Sequence, residues 1–484
     1  MTLTIPPLAL QLVLACGSGR GLDTLPGGDG GGADGGSADG GGDGGGADGG
    51  ADGGAVEADC DEEDAAAFSD LQTESTLAGP VLRARWVTDL QGTTEIWFTD
   101  GVVTELAPEA AEGGTAVLVG PGPLTPVQWR VVVETDQGRV CSPVQEATSG
   151  ASAPGIPELT QLSAGDPGAA MVIAPVIGAD SRFLVIVDRA GRLIWSQTME
   201  SNAYRAVLAR GGGAMWVGTP AWSDQDNARI RKLELDGSVA EERSILGGHT
   251  DLVELPDASL AMLGWDIRER DGRQMLGDTI VELATDGSQR RVWSTWDDYE
   301  PDLSFDYSND FYAADPSVED WTHANGLHYA ESDDSYYVTL STMSLLVRID
   351  RVTGALVWSV GATSPTVQTP EGLIDNPHSV QRLTDGSYLV FNRGKGSCSS
   401  VVRFTVDESA GQASLISRYE SPDCLQVLFL GDARQTDDGH TYISWSSAGR
   451  LEELDPTGAA IREVDVSLGA VLGFIDPVED VYAR

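Results

Sequence analysis

The sequence predicts an all-β chain: a six-bladed β-propeller, preceded by a small β-sandwich and, ahead of both, a disordered Gly/Asp-rich tether. Three observations carry this. A strand-and-turn unit recurs along the C-terminal part of the chain, short alternating runs fill the segment before it, and helix-period patterns are nearly absent.

The chain starts with an apolar run, Met1 to Ala15, that is shorter than the roughly 20 residues needed to span a bilayer. It reads as the apolar region of a signal peptide. The following Val13-Leu14-Ala15-Cys16 is similar to a bacterial lipobox, which makes residues 1–16 a lipoprotein signal with Cys16 as the lipid anchor. That anchor is the expected contact with a membrane, and the expected location is the cell envelope, periplasmic or at the cell surface. Residues 17–59 are Gly, Asp and Ala repeats, with 17 Gly among the 28 residues from Gly27 to Gly54. Such a tract buries almost nothing and has maximal backbone entropy to lose, so a flexible tether of roughly 35 Å root-mean-square span is expected.

Residues 60–150 carry the alternating runs Val81 to Val87, Thr94 to Phe98, Ala116 to Val119 and Gln128 to Val133, separated by turn residues at the spacing of a small β-sandwich. The last pair, WRVVVETDQGRVCSP, resembles the final hairpin of a fibronectin type III-like domain. A Ser/Gly/Pro linker, Ser149 to Gly155, then leads into the propeller, residues 156–484.

There, two motifs alternate. A strand beside a Leu-Pro-Asp-Gly-Ser-like turn recurs from Glu254, Glu331, Arg382 and Gln435; a strand, Asp-x-x-Gly or Asp-Gly, and a second strand recur from Ile186, Leu233, Glu282, Arg348 and Glu453. Repeats of about 40 to 70 residues worth four strands each are the mark of a propeller. Gly supplies the left-handed turn position and Asp caps its own backbone there. The blades read as 158–200, 201–246, 247–300, 320–362, 376–421 and 430–467, with Leu468 to Tyr482 as a closing strand. The acidic, aromatic stretch Trp296 to Asp320 is too polar for core and is expected to fold over one end of the propeller.

A formal charge of −45, from 30 Lys plus Arg against 75 Asp plus Glu, excludes a nucleic-acid partner, because no basic footprint exists to neutralise phosphates. Nothing in the sequence specifies an oligomeric state. With Cys16 carrying lipid, Cys60, Cys141, Cys398 and Cys424 remain, and the two local pairings, 60 with 141 and 398 with 424, are the economical choice in an oxidising compartment. No CxxC occurs, so zinc and dithiol redox sites lack support.

Four of the five histidines lie where a blade's innermost strand begins. His249 (GGHTDLVELPDASL), His323 (WTHANGLHY) and His378 (NPHSVQRLTDGSYL) occupy the same place in successive repeats, so propeller symmetry should bring them together at the central channel. Clustered imidazoles serve acid/base, nucleophilic or metal roles, although a single buried His is more often a structural hydrogen-bonder. His328, five residues after His323, reads as structural, and His440, inside the last turn, as exposed.

The segments DWTHANGLHY, VTLSTMSLLVRIDRVTGALVWSVG, NPHSVQRLTDGSYLVFNRG and GDARQTDDGHTYISW resemble the arylsulfotransferase family of bacterial periplasmic propellers, over about residues 155 to 484. The resemblance implies transfer of a sulfuryl group between phenolic compounds, with aryl sulfates as donors, no nucleotide sulfate donor and no cofactor. It makes His378 the nucleophile, His323 and His249 the residues that bind sulfate oxygens and exchange a proton with the phenol, and Asn325 the group that orients His323. The family's arginine is matched here by Ser341, and its Phe-Asp-Asn-Gly run by Phe391-Asn392-Arg393-Gly394, which offers Arg393 as a substitute cation. A second reading, favoured by Ser341, is a non-catalytic envelope propeller that binds a ligand or protein; a three-His metal site is a third.

Overall fold

The computed structural model describes residues 60–484 except 102–103, 107–113, 165–166, 169, 179–180, 310–314, 467–469 and 483–484. The signal region, Cys16 and the tether lie outside the described residues. Ala55–Arg484 form one compact unit.

The first part of that unit is two facing β-sheets. Strands Phe68–Ser75, Leu82–Thr88 and Thr115–Leu118 make one, and Thr93–Thr99 and Pro126–Thr135 lie at the centre of the other. Alternation sets the faces: Leu82, Ala84 and Trp86 turn inward and meet Ile96, Phe98, Trp129 and Val131 from the opposite sheet. Cys60 is bonded to Cys141, and Cys398 to Cys424, so both expected pairings hold.

Among the described residues six further sheets follow, each running outward from an inner strand, in chain order save for the outermost strand of the sixth. Those inner strands are Met171–Ile177, Arg205–Leu208, Gly248–Glu254, Ala324–Ala330, Pro377–Arg382 and Asp432–Gln435. Each packs beside the next, and Asp476–Val478, paired with the first, also lies beside the sixth, which gives a closed, propeller-like ring. Strands covered on both faces are apolar or buried throughout, as in Ser335–Leu340, whereas outer strands such as Gln412–Glu420 are largely exposed. The Asp-Gly turns form as expected: Asp236, Asp286, Asp385 and Asp455 each accept from the backbone N–H two residues on, at 2.8–2.9 Å.

The structure corrects two expectations, for the first blade and for Trp296–Asp320, and adds contacts at the linker. Leu159–Ala164, assigned from the sequence to the first blade, pairs instead with Ala460–Val466 as the outer strand of the last sheet, so a strand that precedes the first propeller sheet completes the sixth. The Ser149–Gly155 linker is tied down: Gly150 N–H donates to Pro80 O at 2.9 Å, and Gly79 exchanges backbone hydrogen bonds with Ser196 of the first propeller sheet. Sandwich and first propeller sheets thereby share one apolar cluster. Within Trp296–Asp320, Trp296 and Val318 are core residues, and Glu319–Asp320 pairs in parallel with Arg273–Leu283 of the third sheet. Arg273 fastens this segment through Glu319 and the carbonyl of Leu303.

Candidate functional site

The third, fourth and fifth inner strands begin alike. Each has a register shift at its start, between His249 and Leu252, Ala324 and Gly326, and Pro377 and Ser379. Beside each shift a non-glycine residue sits in the left-handed region, Thr250, His323 and Asn376, all at φ 54°. Such bulges re-aim side chains, and the left-handed backbone persists only where surrounding contacts hold it.

At His323 those contacts are two buried carboxylates, whereas at Asn376 they are the hydroxyls of Ser344 and Ser341. Asp320 Oδ1 accepts the backbone N–H of His323 at 2.9 Å, and its Oδ2 lies 2.5 Å from the His323 ring Nδ1. Burial raises the Asp320 carboxyl above its ordinary value, with the His323 charge acting against it. Asp278 Oδ2 accepts from the Thr322 hydroxyl at 2.5 Å and from the Ala324 N–H at 2.7 Å. Its Oδ1 is 3.0 Å from His249 Nε2, an ion-pair distance without the alignment of a hydrogen bond. The other His249 nitrogen, Nδ1, is 2.9 Å from Thr250 Oγ1, and the ring stacks on Trp265 with centroids 3.6 Å apart.

His378 lives in different surroundings. Its Nε2 is 3.4 Å from the Asn325 side-chain nitrogen, and its Nδ1 is buried with no hydrogen-bond partner among the described residues. Burial first, then the positive charges of Arg393 and His323, hold this imidazole well below its ordinary range, so it is neutral. Asn325, expected to orient His323, thus lies against His378, and the side chain against the His323 ring is Asp320. His249 and His378 are each 2% exposed, whereas the His323 side chain is 12% exposed and nearest to solvent.

Ser341 is buried between two inner-strand starts. Its hydroxyl donates to Asn376 Oδ1, and its backbone N–H donates to His323 O at 2.9 Å, so it joins the starts of the fourth and fifth inner strands. Arg393 N–H donates to Asn376 O at 3.0 Å, while its guanidinium donates to Leu428 O at 2.6 Å. Beside Cys398, which is bonded to Cys424, Ser399 Oγ donates to Arg393 O and accepts from Val427 N–H. His249, His323, His378, Asn325, Ser341 and Arg393 thus share one neighbourhood, and Asp278 and Asp320 belong to it as well.

His328 lies on the fourth inner strand, where burial and then the charges of Arg434 and Arg205 push it down to about 3. His440, expected exposed, is half-buried with Nδ1 2.9 Å from Glu453 Oε1. Among the described residues no group of three or more His, Cys, Asp or Glu is arranged to hold a metal ion.

Fold and site together define a propeller-like protein with a histidine cluster, backed by carboxylates, on adjacent inner strands. Residues 171–371 match the model of the Arylsulfotransferase (ASST) family, consistent with a member of that family. The match covers less than half of the chain and contains His249, His323, Asn325 and Ser341, but ends before His378 and Arg393. At a coarse level the family implies phenolic or aryl sulfate substrates. No curated protein matches the chain. Among solved structures, the periplasmic gluconolactonase of Pseudomonas aeruginosa is similar at 16% identity, covering 72% of this chain and 94% of its own, with a TM-score of 0.37. The β-propeller domain of Cps50 (Swd1) from Myceliophteria thermophila is similar at 12% identity, with 65% and 98% covered and a TM-score of 0.38.

Proposed function

We propose that this protein is an arylsulfotransferase: a six-bladed propeller, preceded by a fibronectin type III-like sandwich, that moves a sulfuryl group between phenolic compounds through His378. The observation that carries the reading is the state of His378. It is a buried, neutral imidazole beside an amide, with a second imidazole and a guanidinium near enough to act on it electrostatically. A neutral ring nitrogen is the form that attacks sulfur, and an imidazole intermediate splits one difficult transfer into two easier ones. Arg393 supplies positive charge near the sulfuryl oxygens in the place that the family arginine leaves to Ser341, and His323 exchanges the phenolic proton. His249, with both ring nitrogens turned to Asp278 and Thr250, supports the cluster from behind. The two disulfides suit an oxidising compartment, and a lipid on Cys16 would hold the chain at the cell envelope.

The test is nitrophenolate release from 4-nitrophenyl sulfate by the purified chain, with and without phenol, beside His378→Ala. Release that requires both phenol and His378 supports the reading; release equal to that of His378→Ala refutes it.

A further inference from the structure

We propose that Asp320 is a positioning residue that makes His323 the proton carrier of both half-reactions; this rests on the sulfuryl-transfer reading above. One carboxylate grips His323 twice, at the backbone N–H and at ring Nδ1, while Asp278 holds the residues on either side through the Thr322 hydroxyl and the Ala324 N–H. Three consecutive residues are therefore locked by two buried carboxylates around a left-handed backbone at His323. Nothing in the packing of an ordinary strand start calls for so much polar restraint, whereas a proton carrier requires a fixed ring and a fixed tautomer. With Nδ1–H committed to Asp320, the proton that moves is carried on Nε2.

In the first half-reaction a His378 nitrogen lone pair forms the N–S bond as the S–O bond to the aryl group breaks. The aryl oxygen leaves with the electron pair and takes the proton from His323 Nε2. In the second, the acceptor hydroxyl gives its proton to that Nε2, its oxygen forms the new S–O bond, and the N–S electron pair returns to His378. The charged and titratable groups around this pair are Asp320 and His378 acting with His323, and Asp278 and His249 of the third sheet acting on Asp320.

The role predicts a leaving-group dependence. Phenolate is a strong base that needs the proton, and 4-nitrophenolate a weak one that needs it less. Single-turnover release without acceptor is measured for phenyl sulfate and 4-nitrophenyl sulfate, with wild type and Asp320→Asn. Both donors should slow in the variant, and the phenyl-to-nitrophenyl rate ratio should fall about 100-fold, within the range for loss of a positioned general acid. Equal slowing with both donors means that Asp320 only supports the fold and overturns the proposal. If Asp320→Asn does not fold, His323→Gln carries the test: the same fall in ratio is expected, and an unchanged ratio overturns it. A wild-type chain that releases neither product overturns the sulfuryl-transfer reading itself, and this proposal with it.

Discussion

Within the site, each imidazole answers to a different neighbour, and their chemistry follows from that. His378 is kept neutral by burial and by the charges of Arg393 and His323. Because its folded value lies below the ordinary histidine value of about 6.5, the neutral nucleophile persists as pH falls through that value. Single-turnover release from 4-nitrophenyl sulfate should therefore hold steady down through pH 6.5 and decline only at lower pH; a decline centred near 6.5 would contradict the assignment. Ser341 yields a stability prediction. Removing its hydroxyl leaves the buried Asn376 Oδ1 without that donor, so Ser341→Ala should cost about 1–3 kcal/mol in urea unfolding and slow transfer as well, since Asn376 precedes the His378 strand. The three histidines were legible in the sequence because repeat register alone aligns His249, His323 and His378. The carboxylates were not singled out. Asp320 stands three residues before His323 in plain view, but its meaning depends on a turn that folds it back onto the ring. Asp278 comes from a different sheet; its only signal was an Asp as the one charged residue in the run from Met275 to Val281.

For the strands, the site depends on how closely neighbouring inner strands approach. Gly326 lies where the fourth and fifth meet, and a Cβ there would come within 2.8 Å of Ser379 Cα and 3.0 Å of His378 O. Backbone cannot yield as a flexible side chain does. Gly326→Ala should thus destabilise the protein by about 1–3 kcal/mol and lower transfer by displacing His378; thermal unfolding and the nitrophenolate assay read the two effects, and a variant with wild-type values in both would mean that the strands tolerate separation. Strands and Asp-Gly turns were readable from alternation and turn chemistry. The bulges were not, since one or two extra residues in an inner strand leave no compositional trace. The role of Trp296 was hidden for a similar reason: acidic neighbours mark its segment as polar, and its partners, Asp266 O for the indole N–H and the ring of Trp321, lie far off in sequence.

Across the whole molecule, the ring is closed by its two ends, with Leu159–Ala164 on the last sheet and Asp476–Val478 on the first. Sequence repeats show that blades exist, but the partner of a lone first strand is a long-range choice that no local pattern records. Global pH dependence is set partly by His328, enclosed by the fourth inner strand and the charges of Arg434, Arg205 and Arg382, and titrating near 3 in the fold. The unfolded chain takes up this proton below about 6.5, so its contribution to stability is complete above that pH and is lost as pH falls toward 3. Buried Asp251, Asp320 and Asp476 have raised values and act with the opposite sign, so the comparison must be made against a single variant. His328→Gln should lose less melting temperature than wild type between pH 6.5 and 4, by calorimetry; parallel curves would contradict this. The most direct test of the central claim remains covalent. The full chain is mixed with 4-nitrophenyl sulfate without acceptor, quenched at alkaline pH and digested, and its peptides are weighed. The account predicts one sulfuryl group on the peptide carrying His378, lost on adding phenol, whereas nitrophenolate release with an unmodified His378 peptide, or a sulfuryl group on another residue, would contradict it.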